Sequence, residues 1–174
     1  MKEIKKITLS AIFIAIAIVL PIAFHALGLG STFLPLHIPV LIAGFIVGPI
    51  YGLIVGVVSP LLSGLITGMP PFAPPYAVVM AFELGAYGFL AGLFYQKLKM
   101  NEWVSLILSM AGGRIVYGFV AFLLMSVLGI FKFDPIAYVT TGIVTAWPGM
   151  IIQLVLIPTL VFALRKNGLI EERH

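Results

Sequence analysis

The chain has 174 residues, 61% of them hydrophobic and only 9% charged. A soluble domain is about one quarter charged, and one this small has too much surface to hide so much apolar side chain, so the composition predicts an integral membrane protein and leaves no room within these residues for a soluble ATPase or a nucleic-acid-binding domain. The net charge of +4 then bears on topology rather than on nucleic acid, and the absence of Cys excludes disulfides, thiolate nucleophiles and Cys-based metal sites.

The first apolar run, Ile7 to Phe24, follows the basic start Lys2-Glu3-Ile4-Lys5-Lys6. It is long for the apolar part of a signal peptide and the rest of the chain is membrane too, which predicts a retained span over about 7–24. From His37 to Ile66 the chain is apolar for 30 residues, interrupted by Gly48-Pro49. Gly-Pro is a turn signal, and Pro disfavours a helical residue before it, which predicts two short helices, about 37–48 and 50–66. The first is too short to cross about 30 Å of hydrocarbon unaided. Either it starts nearer Thr32 or it sits where the protein thins or shields the bilayer. Residues 67–75 hold four prolines and form a loop. A fourth helix covers about 76–95 and ends at the polar stretch Gln96 to Glu102. A fifth covers about 103–129, the loop Phe131 to Pro135 follows, and a sixth covers about 136–164 with Pro148 and Pro158 inside it. The tail Arg165 to His174 is polar, and the whole reads as one transmembrane domain over 1–174.

Charge decides the topology. Six spans with both termini cytoplasmic put Lys2, Lys5, Lys6, Lys97, Lys99, Arg165, Lys166 and Arg173 inside and only Lys132 outside. Reading 37–66 as one span moves five of these cations out and leaves four against five. The expected fold is therefore an all-α bundle of six transmembrane helices. Two nearly uncharged outer loops, 25–36 and 67–76, are rich in Gly, Pro and aromatics and suit lids over a cavity as well as plain connections.

Two ionisable residues fall inside spans, Glu83 and Arg114. An intramembrane charge costs several kcal/mol and calls for a partner or a watery cavity. The two either pair with each other or serve a ligand, and their neighbours favour a ligand site. Tyr87 lies at i+4 from Glu83 and Tyr117 at i+3 from Arg114. Helix 6 adds Thr140, Thr141, Thr145, Trp147 and, deeper, Gln153. Pro148-Gly149 can loosen that helix and free carbonyls. Aromatics with a few convergent polar groups suit a small, flat or amphiphilic molecule. His37, at the start of helix 2, joins this set as a candidate contact. His25 and His37 lack a metal-ligand spacing, so no metal site is expected. Small residues four apart, Ala11 and Ala15, Gly44 and Gly48, Gly52 and Gly56, allow close helix approach. Hydrolase, Walker A and metalloprotease motifs are missing, and Ser59, Ser63 and Ser109 have no His nearby in sequence. An enzyme is not expected.

Taken together, the basic N-terminus, Ala11-x-x-x-Ala15, the six spans and the stretch Leu36 to Pro49 with its Gly48-Pro49 turn resemble the S component of an energy-coupling factor (ECF) vitamin transporter. Three stretches, Ser59 to Pro71, Met80 to Gly88 and Pro148 to Leu154, look most like the members predicted to carry pyridoxine-type compounds. Pantothenate and hydroxymethylpyrimidine members come next. Riboflavin members open helix 2 with an Asp-Ile-Pro-type segment, where this chain has His37-Ile38-Pro39. The resemblance implies a multi-pass protein of a prokaryotic cell membrane that binds a vitamin from outside, with no intrinsic cofactor and the vitamin as ligand. It implies docking on a membrane T component carried by two ATPases, and toppling in the lipid bilayer to present the vitamin inside. Ala11 and Ala15 would then lie on the docking face, loops 25–36 and 67–76 would gate the site, and Glu83, Tyr87, Arg114, Tyr117, Trp147 and Gln153 would fall on the ligand-binding helices. A stand-alone carrier or channel and a scaffold subunit remain the competing classes.

Overall fold

Proline, glycine and one polar cap set the helix ends. The computed structural model describes residues 2–26, 28, 33–73, 75–127 and 135–166. Among these, the helices are α1 (Glu3–Ala26), α2 (His37–Val47), α3 (Pro49–Thr67), α4 (Tyr76–Gly92), α5 (Glu102–Phe122) and α6 (Pro135–Lys166), with no strand. α4 and α5 each run on through a wider, π-type turn, Leu93–Lys97 and Leu123–Val127. Asn101 caps α5, its side chain accepting from the Val104 N–H at 2.7 Å. Helices at α1, α3, α4, α5 and α6 are long and apolar enough to cross a membrane; α2 is shorter. The loop with Phe131 and Lys132, the tail with Arg173 and most of 27–32 lie outside the described residues.

α2 is the inner helix. At about 1.5 Å per residue it reaches only about half the hydrocarbon thickness. It begins at His37, and the protein shields it: α1, α3, α4 and α6 all pack on it. Val40, Leu41, Ala43 and Phe45 are fully enclosed, and Phe45 meets Tyr95 edge-on with ring centroids 4.9 Å apart. A helix that is apolar on every side belongs in such a place.

The turn after α2 shows how its end is satisfied. Gly48 takes φ +95°, a conformation left to glycine. Pro49 has no N–H, so the Phe45 carbonyl loses its i+4 donor. Gln96, at the end of α4, supplies the replacement: its Nε2 donates to Phe45 O at 2.8 Å and to Ile46 O at 3.0 Å.

The glycine stripes are used within the chain. A Cβ on Gly52 would stand 2.8 Å from Gly44 Cα and press on the Gly88 carbonyl. One on Gly56 would stand 2.6 Å from Gly85 N. α2, α3 and α4 thus cross backbone to backbone. Ala11 and Ala15, in contrast, lie on the exposed face of α1.

Polar contacts gather the basic segments at one end. Tyr51 Oη donates to Glu3 Oε2 at 2.6 Å, joining the starts of α1 and α3, and Arg165 pairs with Glu102, joining the end of α6 to the start of α5. With the Gln96 clamp, this puts Lys2, Lys5, Lys6, Lys97, Lys99, Arg165 and Lys166 at the same end. At the opposite end the proline loop folds back on α3. Gly68 closes α3 at φ +75°, Ser63 Oγ donates to Met69 O at 2.6 Å, and Ala77 N–H reaches Pro71 O at 3.0 Å. Gly52→Ala should lower stability by about 1–3 kcal/mol, because the new methyl meets backbone that cannot step aside. A thermal-unfolding scan of the detergent-purified protein checks this, and an unchanged midpoint would contradict the packing.

Candidate functional site

One face of α4 carries the site. Tyr76, Met80, Glu83 and Tyr87 are spaced four, three and four apart, so they stack along one side of the helix. Tyr76 and Met80 line a cavity of about 200 Å³ at the end opposite the lysines. Pro21 and His25 of α1, His37 of α2, and Pro70 and Pro71 of the proline loop complete most of its wall. The described parts of both expected lid segments thus border this cavity. Glu83 lies one turn deeper than Met80, about 4.5 Å along the axis, and is 1% exposed.

Glu83 is held by two side chains, and a third stands nearby. Arg114 Nη1, from α5, lies 2.9 Å from Glu83 Oε1. Tyr87 Oη donates to the same oxygen at 3.0 Å. His37 Nε2 stands 3.9 Å from it, beyond hydrogen-bond reach. A buried carboxylate is tolerable only with such compensation. The two intramembrane charges thus pair across α4 and α5. The pair uses one edge of the guanidinium alone. Arg114 Nε and Nη2 are buried without a hydrogen-bond partner. The Arg114 guanidinium also rests over the Tyr117 ring, 5.6 Å from its centroid.

Packing fixes the Tyr87 hydroxyl. The ring is buried, 5.5 Å from the His37 ring and tilted 57° to it. Gly113 of α5 also stands against it, where a Cβ would run into the Tyr87 ring. Glycine at this position is what lets α5 come close enough for Arg114 to reach Glu83.

Of the expected site residues, Glu83, Tyr87, Arg114, Tyr117 and His37 come together. Gln153 is fully buried on the inward stripe of α6 with Ala146 and Ile157, and neither of its amide atoms has a hydrogen-bond partner. Trp147 is a correction. It is 59% exposed and shares the outward stripe of α6 with Val144, Ile151 and Val155. Those positions are three or four residues apart, so one side of the helix carries them all away from the interior. Thr140 and Thr145 are exposed as well, and the side chain of Thr141 lies outside the described residues. Sequence reasoning missed Tyr76, Met80 and Gly113. Counting back from Glu83 in steps of three and four finds the first two. Nothing local points to Gly113, whose role depends on a ring from another helix.

An all-α multi-pass membrane bundle with a buried ion pair beneath a cavity is the class this architecture defines. The family model for the ECF transporter substrate-specific component matches residues 5–161, and the chain belongs to that family. No match was found among curated proteins or among solved structures. The protein is thus a substrate-binding subunit of an ECF transporter, not an enzyme; it takes part in substrate uptake through the membrane in association with a T component and ATPases.

The pair makes a stability prediction. Glu83→Gln should destabilise the protein by about 3–5 kcal/mol, because it strands a buried guanidinium. The double variant Glu83→Gln/Arg114→Gln should recover at least half of that loss. Urea or thermal unfolding of the three proteins tests the coupling; additive losses would mean the two charges do not support each other.

Proposed function

We propose that this subunit captures a pyridoxine-type vitamin, with Glu83, Tyr87, Arg114 and Tyr117 forming the polar floor beneath the cavity. The observation that carries this reading is the 2.9 Å Glu83–Arg114 pair. Its charges cancel, so the site favours a ligand that brings no net charge. Pyridoxine fits that requirement: it is small, flat, aromatic and hydroxylated. The walls supply apolar contact through Met80, Pro70 and Pro71, and the floor supplies hydrogen bonds. Gln153 extends the polar set from α6 if the ligand reaches that deep. A specific observation favours pantothenate as the second reading. Arg114 Nε and Nη2, left without partners, present the paired donors that suit a carboxylate.

For transport, Ala11 and Ala15 provide the docking face for the T component, which two ATPases drive. Both are exposed and small, so a partner helix can approach α1 closely. The two outer loops gate the cavity, and reorientation of the loaded subunit in the bilayer delivers the vitamin.

Two measurements test these assignments. Titration calorimetry on the detergent-purified protein should show pyridoxine binding that Glu83→Ala weakens at least about tenfold, or 1.4 kcal/mol. Tighter binding of pantothenate than of pyridoxine would move the substrate to the second reading, and near-normal affinity in a well-folded Glu83→Ala would remove Glu83 from the site. Separately, Ala15→Trp should leave pyridoxine affinity unchanged and abolish copurification with the T component and uptake by cells. Retained uptake would put the docking face elsewhere.

A further inference from the structure

His37 belongs both to the cavity wall and to the surroundings of Glu83. It is 2% exposed, and its ring packs on Tyr87. Its backbone N–H is satisfied by Leu34 O at 3.0 Å, but both ring nitrogens lack a hydrogen-bond partner. Buried polar atoms are paired in the great majority of cases, so two unpaired ring nitrogens at a cavity wall call for an explanation.

The charge state of the ring follows from its neighbours. Glu83 Oε1 already receives Arg114 Nη1 at 2.9 Å and the Tyr87 hydroxyl at 3.0 Å. The carboxylate charge is matched by the guanidinium. An imidazolium beside them would bury a second cation against a single anion, and the repulsion from Arg114 would be large in so dry a place. The ring is therefore a neutral imidazole with one N–H. Nε2 is the nitrogen turned toward the carboxylate, 3.9 Å away. A proton there is attracted to Glu83, whereas a lone pair there would face a negative oxygen. That leaves Nδ1 as a bare acceptor.

We propose that His37 is the specificity-determining residue of the cavity, its Nε2–H turned to Glu83 and its Nδ1 accepting a hydrogen bond from a hydroxyl of the ligand. This rests on the reading of the cavity as the vitamin site. It adds a requirement that the ion pair alone does not impose: the ligand must place a donor at His37. A site built around a buried acceptor rejects an analogue lacking the donor, because the acceptor is then left dry and unpaired.

Two readouts test it. The first is calorimetry with pyridoxine and with its three singly deoxygenated analogues on wild-type protein, His37→Phe and His37→Gln. His37→Phe keeps an aromatic ring and its packing but removes the acceptor; His37→Gln keeps an acceptor. The expected result is that His37→Phe weakens pyridoxine at least about tenfold and His37→Gln weakens it less. One deoxy analogue should be weakened as much on wild-type protein, yet change by no more than about twofold between wild type and His37→Phe. If His37→Phe binds pyridoxine within about twofold of wild type, or loses the same factor on every analogue, the proposal is overturned. The second readout needs no ligand. Nitrogen-15 spectra of histidine-labelled protein, assigned with His37→Gln, should show His37 as the neutral Nε2–H tautomer. An imidazolium or an Nδ1–H tautomer overturns the proposal. Wild-type protein that fails to bind pyridoxine while showing the Nε2–H tautomer overturns the pyridoxine reading alone and supports the bare acceptor at His37.

Discussion

A helix too short to cross the bilayer has to be wrapped by protein. α2 is that helix, and the rest of the bundle is arranged around the need to cover it. Its backbone ends must find partners without help from water. Gln96 meets the carbonyls at one end, where Pro49 has taken away a donor. Its flanks are covered by α3 and α4, which come near only because glycines stand at their contacts. At its other end α2 presents His37, buried and facing the cavity. The same constraint therefore produces the core and brings a polar side chain to the wall of the cavity at that end.

The two ends of the bundle do different work. The lysine-rich end is tied together by Glu3 with Tyr51 and Glu102 with Arg165, in addition to the Gln96 clamp. The opposite end has few charges, and its order comes from backbone contacts of the proline loop and from Ser63. A loop held by a handful of hydrogen bonds opens more readily than a packed helix. That asymmetry suits a subunit that admits its ligand at one end while the other stays closed.

How legible this was depends on whether the signal is local. The turn at Gly48-Pro49, the proline loop and the polar stretch Gln96 to Glu102 are written in adjacent residues, and the structure has breaks at each. Tyr87 was legible as a partner of Glu83 because both lie on one helix, where spacing alone sets the facing. Pairing of Glu83 with Arg114 was left open, since it depends on how α4 and α5 are rotated against each other. Trp147 failed for the same reason. An amphipathic aromatic does not reveal which way it faces, and Ala146, one position away, is the residue turned inward. Gln96 was read only as part of a polar helix end. Its true partners lie 51 and 50 positions earlier, and nothing near it in sequence announces them.

The proposed ligand has to be consistent with the charge the interior can carry. Glu83 and Arg114 together add no net charge, and the proposal for His37 leaves its ring neutral as well. A neutral ligand adds no unpaired charge to the interior of the bundle. An anion would bring a net negative charge into a medium where an unpaired charge costs several kcal/mol. The free Nε and Nη2 of Arg114 would offset part of that, but the same guanidinium already answers to Glu83. One cation shared between two anions leaves the second poorly compensated, whereas a hydroxylated neutral ring can use those same donors at no electrostatic cost. It is the charge balance of the proposed floor, and not the shape of the cavity, that argues for pyridoxine over pantothenate.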